Sequence, residues 1–500
     1  TGTICAHNCM TKCMRNYYDE PVNIRATKLV AAERGYDDYM AKIKAPVPVT
    51  DGRKVAVIGG GPTGMAAAYF VGRAGIPVTI FERSGVLGGV VRQVIPAFRI
   101  SDDAIDHDVA LMFKMGVEVK LNTEAPSVAE LKAQGYTHIF FAVGAWKAGR
   151  LDIPGNVVPV IGWLKDMKAG KDVSLGHVAV VGGGNTAMDA ARAALRAGAK
   201  SSTLVYRRTK KYMPADAEEL ELAIADGVEF LELVAPVEQK DGKLVCEKMK
   251  LGDPDEKGRR KPVPTGEMVE IPCDTVVSAV GEKVESEVFT RNGITVDAKG
   301  IPDFKTNLEG VYAGGDAMRG PATVVEGIAD AQYFANAVIG EAHKFAIPGK
   351  AVATREESIA KKGILCESAK CEGDRCLTCN VVCQVCADVC PNRANVVIEL
   401  PDGRQQILHV DRMCNECGNC AVFCPYDSAP YRDKFTLFQT REGFDESAQN
   451  QGFLPLGGKK VLVRLNGRVF EADLDAKNDL PADIEVFIWT VLTKYAYLMG

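Results

Sequence analysis

Pairs of short apolar runs, each pair separated by a helical pattern, occur twice along the chain. The first pair is Lys54–Ile58 and Pro77–Phe81, and the second is His177–Val181 and Ser202–Tyr206. Continuous apolar runs of this length, bounded by glycine, are typical of buried strands in a parallel sheet. The pattern therefore predicts two strand–helix–strand units and an α/β architecture.

The two ends of the chain have different patterns. Residues 1–45 are helical and polar, and Ala45–Gly52 is punctuated by proline, as in a linker. Near the other end, residues 461–465 alternate before Asn466-Gly467, the dipeptide that a type I′ hairpin turn prefers. An apolar-periodic helix is predicted from about Ala482 to Leu498.

Composition and charge exclude several classes of protein. The 500 residues are 47% hydrophobic and carry a net charge of −5, which argues against a nucleic-acid-binding protein. The uncharged stretch Val55–Gly72 is interrupted by three consecutive glycines, so we expect a strand, a turn and a helix start there, not a membrane span. No leader sequence is visible, and a cytoplasmic location is expected.

The first apolar pair encloses a glycine fingerprint, Gly59-x-Gly61-x-x-Gly64. In such a loop the first glycine makes the turn, the second admits a pyrophosphate, and the third allows the helix to pack on the strand. Glu82 ends the second strand, where a carboxylate can bind ribose hydroxyls. We expect FAD here, against the alternative of a glycine loop without a ligand.

Further residues are assigned to the same cofactor. A later strand ends in Gly315-Asp316, where the carboxylate can accept hydrogen bonds from a ribityl chain, although an ordinary turn aspartate is the alternative. The glycine-bearing backbone near Ile95 could cover the flavin ring, and core packing is an equal alternative for Ile95. The additional candidate residues are Arg83, Gly89, Ile95 and Gly144.

The second apolar pair encloses Gly182-x-Gly184-x-x-Ala187, with Asn185 and Thr186 inside the loop. Arg207 and Arg208 follow its second strand, where an enzyme selective for NAD has an acid. Arginines suit the 2′-phosphate of NADP, so NADPH is favoured, with two solvated arginines as the alternative.

A flavin unit and a nicotinamide unit in one chain imply hydride transfer from NADPH to FAD, and no catalytic side chain is required. The flavin elements lack a closely spaced cysteine pair, which disfavours a redox disulfide and a thioredoxin reductase.

Cysteine is clustered: three of the 16 cysteines lie at positions 5–13 and eleven at 366–424. The run from Cys414 to Cys424 is followed by proline and has the spacing of bacterial ferredoxins, and the run from Cys379 to Cys390 differs only in a first gap that is one residue longer. In such ferredoxins the fourth cysteine of each run ligates the other cluster. One predicted [4Fe–4S] cluster is held by Cys379, Cys383, Cys386 and Cys424, and the other by Cys390, Cys414, Cys417 and Cys420. Zinc is a weaker alternative. Cys366, Cys371 and Cys376 are expected to be thiols outside these sets, although Cys376 is an alternative to Cys379 as the first ligand of its run. Cys246 and Cys273 are expected to be small buried apolar residues.

Cys5, Cys9 and Cys13 form a triplet with too few ligands for a cubane. Either another residue completes this site or its remaining ligands precede Thr1, and a helical stripe of buried thiols is the alternative.

The stretches Cys5–Arg25, Gly59–Pro96 and Gly182–Asp189, with Tyr206–Arg208 and Met213-Pro214, resemble the glutamate synthase small-subunit family. The resemblance covers about residues 1–345 and implies a glutathione-reductase-like fold. It also implies a partial helical iron–sulfur domain, with up to two further [4Fe–4S] clusters shared with an upstream segment. The segments Cys379–Cys383, Cys390–Asn395, Cys414–Cys420 and Tyr497–Gly500 resemble the flavoprotein subunit of the selenate reductase family.

Together these patterns predict two nested Rossmann-like domains, a small α+β 2[4Fe–4S] ferredoxin domain and a partial helical domain. The predicted boundaries are 1–45 for the partial helical domain, 51–175 and 284–345 for the two FAD parts, 176–283 for the NADP domain, 346–372 for a linker, 373–435 for the ferredoxin and 436–500 for an α+β extension.

The expected function is NADPH-dependent oxidoreduction through FAD and iron–sulfur clusters. The expected partner is the upstream segment or a redox subunit such as a molybdenum enzyme, with no nucleic acid and no membrane span. The alternatives are a glutamate synthase small subunit and a non-catalytic scaffold.

Overall fold

The computed structural model describes residues 2–340, 371–376, 383–424 and 428–499, apart from residues 12, 18–19, 174, 255–259, 402 and 404. The chain divides into two compact units: residues 1–6 with 32–344, and residues 7–31 with 345–500. Most of the predicted linker and Cys379 lie outside the described residues.

The first unit contains two five-stranded parallel sheets. In spatial order, the strands of the first sheet are Val311–Ala313, His138–Phe141, Val55–Ile58, Val78–Phe81 and Glu118–Lys120. Its helices are Pro62–Arg73, Gly89–Gln93, Asp102–Lys114, Val128–Ala133, Glu287–Thr290, Asp316–Arg319 and Val324–Ile339. The central strands Val55–Ile58 and Val78–Phe81 are buried on both faces because helices cover both sides of the sheet.

The second sheet has the strand order Val157–Pro159, Thr275–Ser278, His177–Val181, Ser201–Tyr206 and Glu229–Glu232. Its helices are Val160–Lys168, Asn185–Arg196 and Ala217–Ala225. Val157–Pro159 falls in the range predicted for the first FAD part, yet it pairs with Thr275–Ser278 of the second sheet. The α/β architecture with Rossmann-like units is therefore confirmed, while the domain division remains a prediction.

Two smaller sheets complete the first unit. A two-stranded link joins Lys147–Ala148 to Glu282–Lys283, where the chain enters and leaves the second sheet. A three-stranded antiparallel sheet consists of Val234–Lys240, Lys243–Pro254 and Arg260–Pro272. The sequence patterns did not predict this antiparallel sheet.

The second unit is built on one six-stranded mixed sheet. Its strands are Asn395–Glu399, Gln405–Val410, Thr436–Leu437, Gly452–Gly457, Lys460–Leu465 and Arg468–Asp473. Its helices include Asn8–Thr11, Val385–Asp388, Asn419–Val422, Pro430–Asp433, Arg441–Glu446 and Ala482–Lys494, and the helix Ile24–Lys42 begins in this unit. The sheet continues across the predicted boundary at residue 435, so the range 436–500 shares its core with the cysteine-rich segment.

The predicted hairpin and the uncharged stretch both have the expected structure. Asn466 and Gly467 have positive φ values of 51° and 77° between the last two strands, as a type I′ turn requires. Val55–Gly72 forms a strand, a turn and part of a helix. The part of the chain that the structure describes contains no helix with both the length and the apolar character needed to cross a membrane.

Candidate functional site

The first glycine fingerprint forms a tight loop that leaves backbone amides accessible. A Cβ atom on Gly59 would lie 2.4 Å from the carbonyl oxygen of Ala142, and one on Gly64 would lie 1.9 Å from that of Gly59. At Gly61 the nearest atom would be 3.9 Å away, so this glycine faces open space. No side chain caps the helix that follows, and its first turn has no acid. The loop therefore fits a diphosphate at a helix N-terminus.

Glu82 is held in place by the backbone of its own unit. Its two carboxylate oxygens accept hydrogen bonds from the amides of Gly60, at 2.6 Å, and Ser84, at 2.7 Å. Arg83 forms an ion pair with Glu285 at 3.2 Å. Glu82 is 7% exposed, so its carboxylate is oriented before any ligand binds.

A cleft of about 750 Å³ opens beside this loop. A cavity of this size is typical of a cofactor site. The cleft brings together eight of the ten residues that the sequence assigned to FAD: Gly59, Gly61, Glu82, Arg83, Gly89, Ile95, Gly144 and Asp316. The other two, Gly64 and Gly315, lie behind the lining, where Gly315 has a φ of 64° and a Cβ would be 2.4 Å from the hydroxyl of Thr63.

Asp316 lies at the start of a short helix and accepts a hydrogen bond from the Ala322 amide at 3.1 Å. Burial raises the pKa of Asp316 to about 6; the Ala322 amide opposes this rise, and the carboxylates of Glu282 and Glu326 add to it. The preceding Gly315 amide donates to Asp330 at 2.9 Å. The buried Asp330 was not predicted, because no local motif marks a residue that supports the loop from a later helix.

The pKa of Asp316 leads to a prediction about the FAD-free protein. A carboxyl whose pKa is raised on folding costs no stability below its unfolded pKa, and the full cost is present above its folded pKa of about 6. We expect Asp316→Asn to raise the free energy of unfolding by up to about 3 kcal/mol at about pH 8, with a smaller gain below about pH 6.

Thermal unfolding at several pH values measures this effect, and Glu326→Gln serves as a control of opposite sign. Hydrogen bonds from Thr323 lower the pKa of Glu326, so its replacement should reduce stability above the ordinary glutamate pKa. A destabilised Asp316→Asn protein at high pH would contradict the prediction.

The second fingerprint repeats the geometry of the first. A Cβ on Gly182 would lie 2.2 Å from the carbonyl oxygen of Ala279, whereas Gly184 has no atom within 4 Å of that position. Ala187 is fully buried, so its methyl group packs in the core instead of facing the loop. Asn185 accepts a hydrogen bond from the Asp216 amide at 2.9 Å. The start of the helix Asn185–Arg196, which we call the second-fingerprint helix, is thus positioned with open amides.

Arg207 and Arg208 follow the second strand of this unit. Arg207 is exposed and Arg208 is half-buried. The Arg208 Nε atom is buried and, among the described residues, has no hydrogen-bond partner. A buried donor of this kind is costly unless a ligand satisfies it, which fits an anionic group such as a phosphate.

Glu282 contacts the second nucleotide loop and lies close enough to Asp316 to raise its pKa, and no sequence pattern identified it. It lies on the two-stranded link, and the Thr186 side chain is hydrogen-bonded to it. Burial raises the pKa of Glu282, and this hydrogen bond opposes the rise. Glu282 also influences Asp316 in the cleft, so the start of the second-fingerprint helix lies near the FAD cleft.

In the second unit, cysteines from different runs come together. Cys390, Cys414, Cys417 and Cys420 line one small cavity, although Cys390 belongs to the earlier run. The Cys390 sulfur accepts a hydrogen bond from the Ala394 amide at 3.2 Å, and the Cys414 sulfur accepts one from the Glu416 amide at 3.3 Å. Backbone donors to sulfur of this kind are common around iron–sulfur clusters.

The remaining described cysteines of the runs form a second group. Burial raises the pKa of Cys386 to about 12; Lys434 opposes this, and Cys383, Cys420 and Cys424 add to it. Burial also raises the pKa of Cys383, with Cys424 again contributing to the rise. Cys424 thus lies near Cys383 and Cys386, while Cys379 is outside the described residues.

Across the described residues, no three His, Cys, Asp or Glu side chains converge as ligands of a single metal ion. A cubane does not need such convergence, because each of its irons binds a different cysteine. The donor set is entirely thiol, which fits iron–sulfur ligation.

The other cysteines belong to three groups: the N-terminal triplet, the isolated pair Cys246 and Cys273, and the three that precede Cys379. Cys9 and Cys13 are in the second unit and Cys5 is in the first. Cys246 and Cys273 are fully buried, as predicted. Cys371 is disulfide-bonded, so the expectation of a thiol is wrong there. Cys376 is exposed, and Cys366 lies outside the described residues.

Comparison with known proteins matches this chain to oxidoreductases. The family described as pyridine nucleotide-disulphide oxidoreductase matches residues 53–331. YgfK of Escherichia coli (strain K12), an oxidoreductase by name, is 40% identical over 536 aligned positions that cover all of this chain and 51% of that protein.

Two further relatives are named as redox subunits. The NADPH-Fe(3+) oxidoreductase subunit beta of Geobacter sulfurreducens (strain DL-1 / KN400) is 36% identical over 71% of this chain and 59% of its own length. The glutamate synthase [NADPH] small chain of Escherichia coli (strain K12) is 31% identical over 62% of this chain and 72% of its own length. The chain spans about half the length of the first relatives it matches.

The matched range contains both glycine fingerprints, the cleft and the link between the two parallel sheets. The chain therefore belongs to the pyridine nucleotide-disulphide oxidoreductase family and is an NAD(P)H-dependent flavin oxidoreductase.

Proposed function

We propose that the chain transfers hydride from NADPH to FAD and then moves single electrons through two [4Fe–4S] clusters to a redox partner. The observation that carries the proposal is the cavity where Cys390 joins Cys414, Cys417 and Cys420. A fourth cysteine taken from the opposite run is characteristic of two-cluster ferredoxins. By the same rule, Cys379, Cys383, Cys386 and Cys424 would hold the second cluster.

FAD would supply a hydride acceptor that can also release electrons one at a time. The amides beside Gly61 would bind its diphosphate, Glu82 its ribose and Asp316 its ribityl chain. Gly184, Asn185 and Thr186 would bind the NADPH diphosphate, and Arg207 and Arg208 its 2′-phosphate. Each assignment pairs a polar group of this chain with the part of the nucleotide that such a group binds in Rossmann-like units.

Electrons would leave the flavin by a route other than a disulfide. None of the described residues that line the cleft is a cysteine. A pyridine nucleotide–flavin enzyme without a nearby dithiol needs another acceptor, and the cysteine-rich second unit offers one. Cys5, Cys9 and Cys13 would contribute to up to two further clusters shared with an upstream segment.

The partner is proposed to be a redox subunit or an upstream segment of the same protein. Relatives carry subunit names, among them the NADPH-Fe(3+) oxidoreductase subunit beta and the glutamate synthase [NADPH] small chain. A molybdenum enzyme is one partner of suitable chemistry, and the selenate reductase resemblance identifies no substrate. Clusters built from reduced thiols favour the cytoplasm.

Flavin reduction under anaerobic conditions tests the proposal. NADPH should bleach the flavin absorbance and produce EPR signals from reduced clusters, and the purified protein should contain about eight irons from the two ferredoxin cubanes. A protein that contains flavin but lacks iron and EPR signals would rule out the cluster route while leaving the flavin half-reaction intact.

The same experiment measures nucleotide preference. We expect kcat/KM with a dye acceptor to favour NADPH over NADH at least about tenfold, because one charge-assisted phosphate contact contributes about 1.5–3 kcal/mol. Replacing both arginines, Arg207→Gln with Arg208→Gln, should remove most of this preference, whereas Arg73→Gln should keep it. Equal rates with NADH in the native protein would refute the assignment.

A further inference from the structure

Arg99 joins the segment beside the FAD cleft to the second-fingerprint helix. Its Nη1 atom donates a hydrogen bond to Asp189 at 2.9 Å and another to Glu219. Asp189 lies on the second-fingerprint helix and Glu219 on the helix Ala217–Ala225. Each of these two acids is 6% exposed. One guanidinium thus bridges two buried carboxylates that belong to the nicotinamide unit.

The segment that carries Arg99 also reaches the FAD cleft. Ile95 lines the cleft, and its carbonyl oxygen accepts a hydrogen bond from Lys168 Nζ at 2.7 Å. A turn between Pro96 and Arg99, closed by a backbone hydrogen bond of 2.9 Å, gives the segment a fixed shape. The adjacent Phe98 ring lies beneath the guanidinium of Arg192, 4.9 Å from its centre. Ile95 and Arg99 are therefore parts of one short ordered segment that runs from the cleft to the second-fingerprint helix.

Arg99 is the main positive charge that compensates the buried carboxylate of Asp189. Burial raises the pKa of Asp189 to about 6; Arg99 and Arg192 oppose the rise, and Glu219 adds to it. Without Arg99, Arg192 would face both acids, yet its Nη1 atom is 3.6 Å from Glu219 and its Nε atom already binds Asp226. Two poorly compensated carboxylates would then lie one turn from the site of the NADPH diphosphate, where like charge disfavours binding.

We propose that Arg99 is a positioning residue that holds the Ile95 segment and the second-fingerprint helix in the relative placement that hydride transfer requires. The proposal rests on the NADPH–FAD half-reaction and not on the iron–sulfur route. Hydride transfer depends steeply on the placement of donor and acceptor, so a small loss of alignment has a large kinetic effect.

Rapid-mixing measurements of flavin reduction in the full chain test this role. We expect Arg99→Gln to keep its FAD but to lower the reduction rate constant at saturating NADPH about tenfold or more. Arg99→Lys keeps the charge on a shorter side chain that cannot place its nitrogen where Nη1 lies, so it should restore only part of the rate. Lys243→Gln is the control, because this exposed lysine pairs with Glu270 within the antiparallel sheet of the same unit; its rate should stay within about twofold of the native value.

The pH dependence of NADPH binding separates a positioning role from general damage. In Arg99→Gln the loss of affinity should be larger at about pH 8 than at about pH 6, because an uncompensated acid takes up a proton at the lower pH. Adding Asp189→Asn removes the acid whose pKa burial raises and should largely abolish this pH dependence. If Arg99→Gln does not fold, the double variant serves instead and must show the loss of rate.

A native reduction rate in Arg99→Gln, or in the double variant, would overturn the proposal. The same pH dependence with and without Asp189→Asn would also overturn it. Since only the flavin is followed, missing EPR signals from clusters would reject the iron–sulfur route without affecting the conclusion on Arg99.

Discussion

Replacing Gly64 by alanine should abolish FAD binding. The added methyl group would lie 1.9 Å from the carbonyl oxygen of Gly59 and 3.2 Å from a methyl group of Val57. Both neighbours are fixed, because Gly59 begins the tight loop and Val57 is a fully buried strand residue. The helix must therefore move away from the loop, and the amides beside Gly61 would no longer converge on a diphosphate.

The measurement is the flavin absorbance per protein after purification and reconstitution with FAD. Gly162→Ala is the matched control, because that glycine is in the helix Val160–Lys168 and has no atom within 4 Å of an added Cβ. Alanine there should keep full FAD content and should stabilise the helix by up to about 1 kcal/mol. Native FAD content in Gly64→Ala would show that the loop does not bind the diphosphate.

Cys390→Ser and Cys424→Ser should each damage the cluster that is bound mainly by the other run. Cys390 lines the cavity of Cys414, Cys417 and Cys420, and Cys424 lies near Cys383 and Cys386. Loss of one thiolate from a cubane usually removes the cluster, so each variant should keep about half of the ferredoxin iron, about four atoms per chain.

EPR spectra of the reduced proteins identify which cluster is lost. Cys390→Ser and Cys417→Ser should lose the same EPR signal. Cys424→Ser and Cys383→Ser should both lose the other signal. Cys246→Ala is the control, because this buried cysteine is far from both runs in sequence and packs among apolar residues of the first unit. If Cys390→Ser instead matched Cys383→Ser, the crossed ligation would be wrong.

Local stereochemistry explains why much of the flavin unit could be predicted. A close approach of backbone to backbone at Gly59 and Gly64 leaves no space for a side chain, so the requirement is visible as a short glycine pattern. The position of Glu82 follows from the length of one strand–helix–strand unit. The Asn466-Gly467 turn is predictable for a similar reason, since few residues adopt positive φ.

Long-range pairing explains what the patterns missed. The strand Val157–Pro159 could not be assigned to the second sheet, because its partner Thr275–Ser278 lies more than a hundred residues later. The patterns did not predict the six-stranded sheet, whose strands come from both sides of residue 435. Hydrophobic periodicity identifies a strand but does not identify its neighbour.

Local patterns were enough to identify two dinucleotide-type loops, an NADP-like pair of arginines and cysteine runs with ferredoxin-like spacing, because each depends on residues close together in the chain. The contact of Glu282 with Thr186, the support that Asp330 gives to Asp316 through Gly315, and the bridge from Arg99 to Asp189 and Glu219 became visible only in the folded structure. These contacts join segments 15 or more residues apart, usually through single polar side chains. A buried polar group must have a hydrogen-bond partner. Which residue becomes that partner depends on how distant segments pack, so no local pattern identifies it.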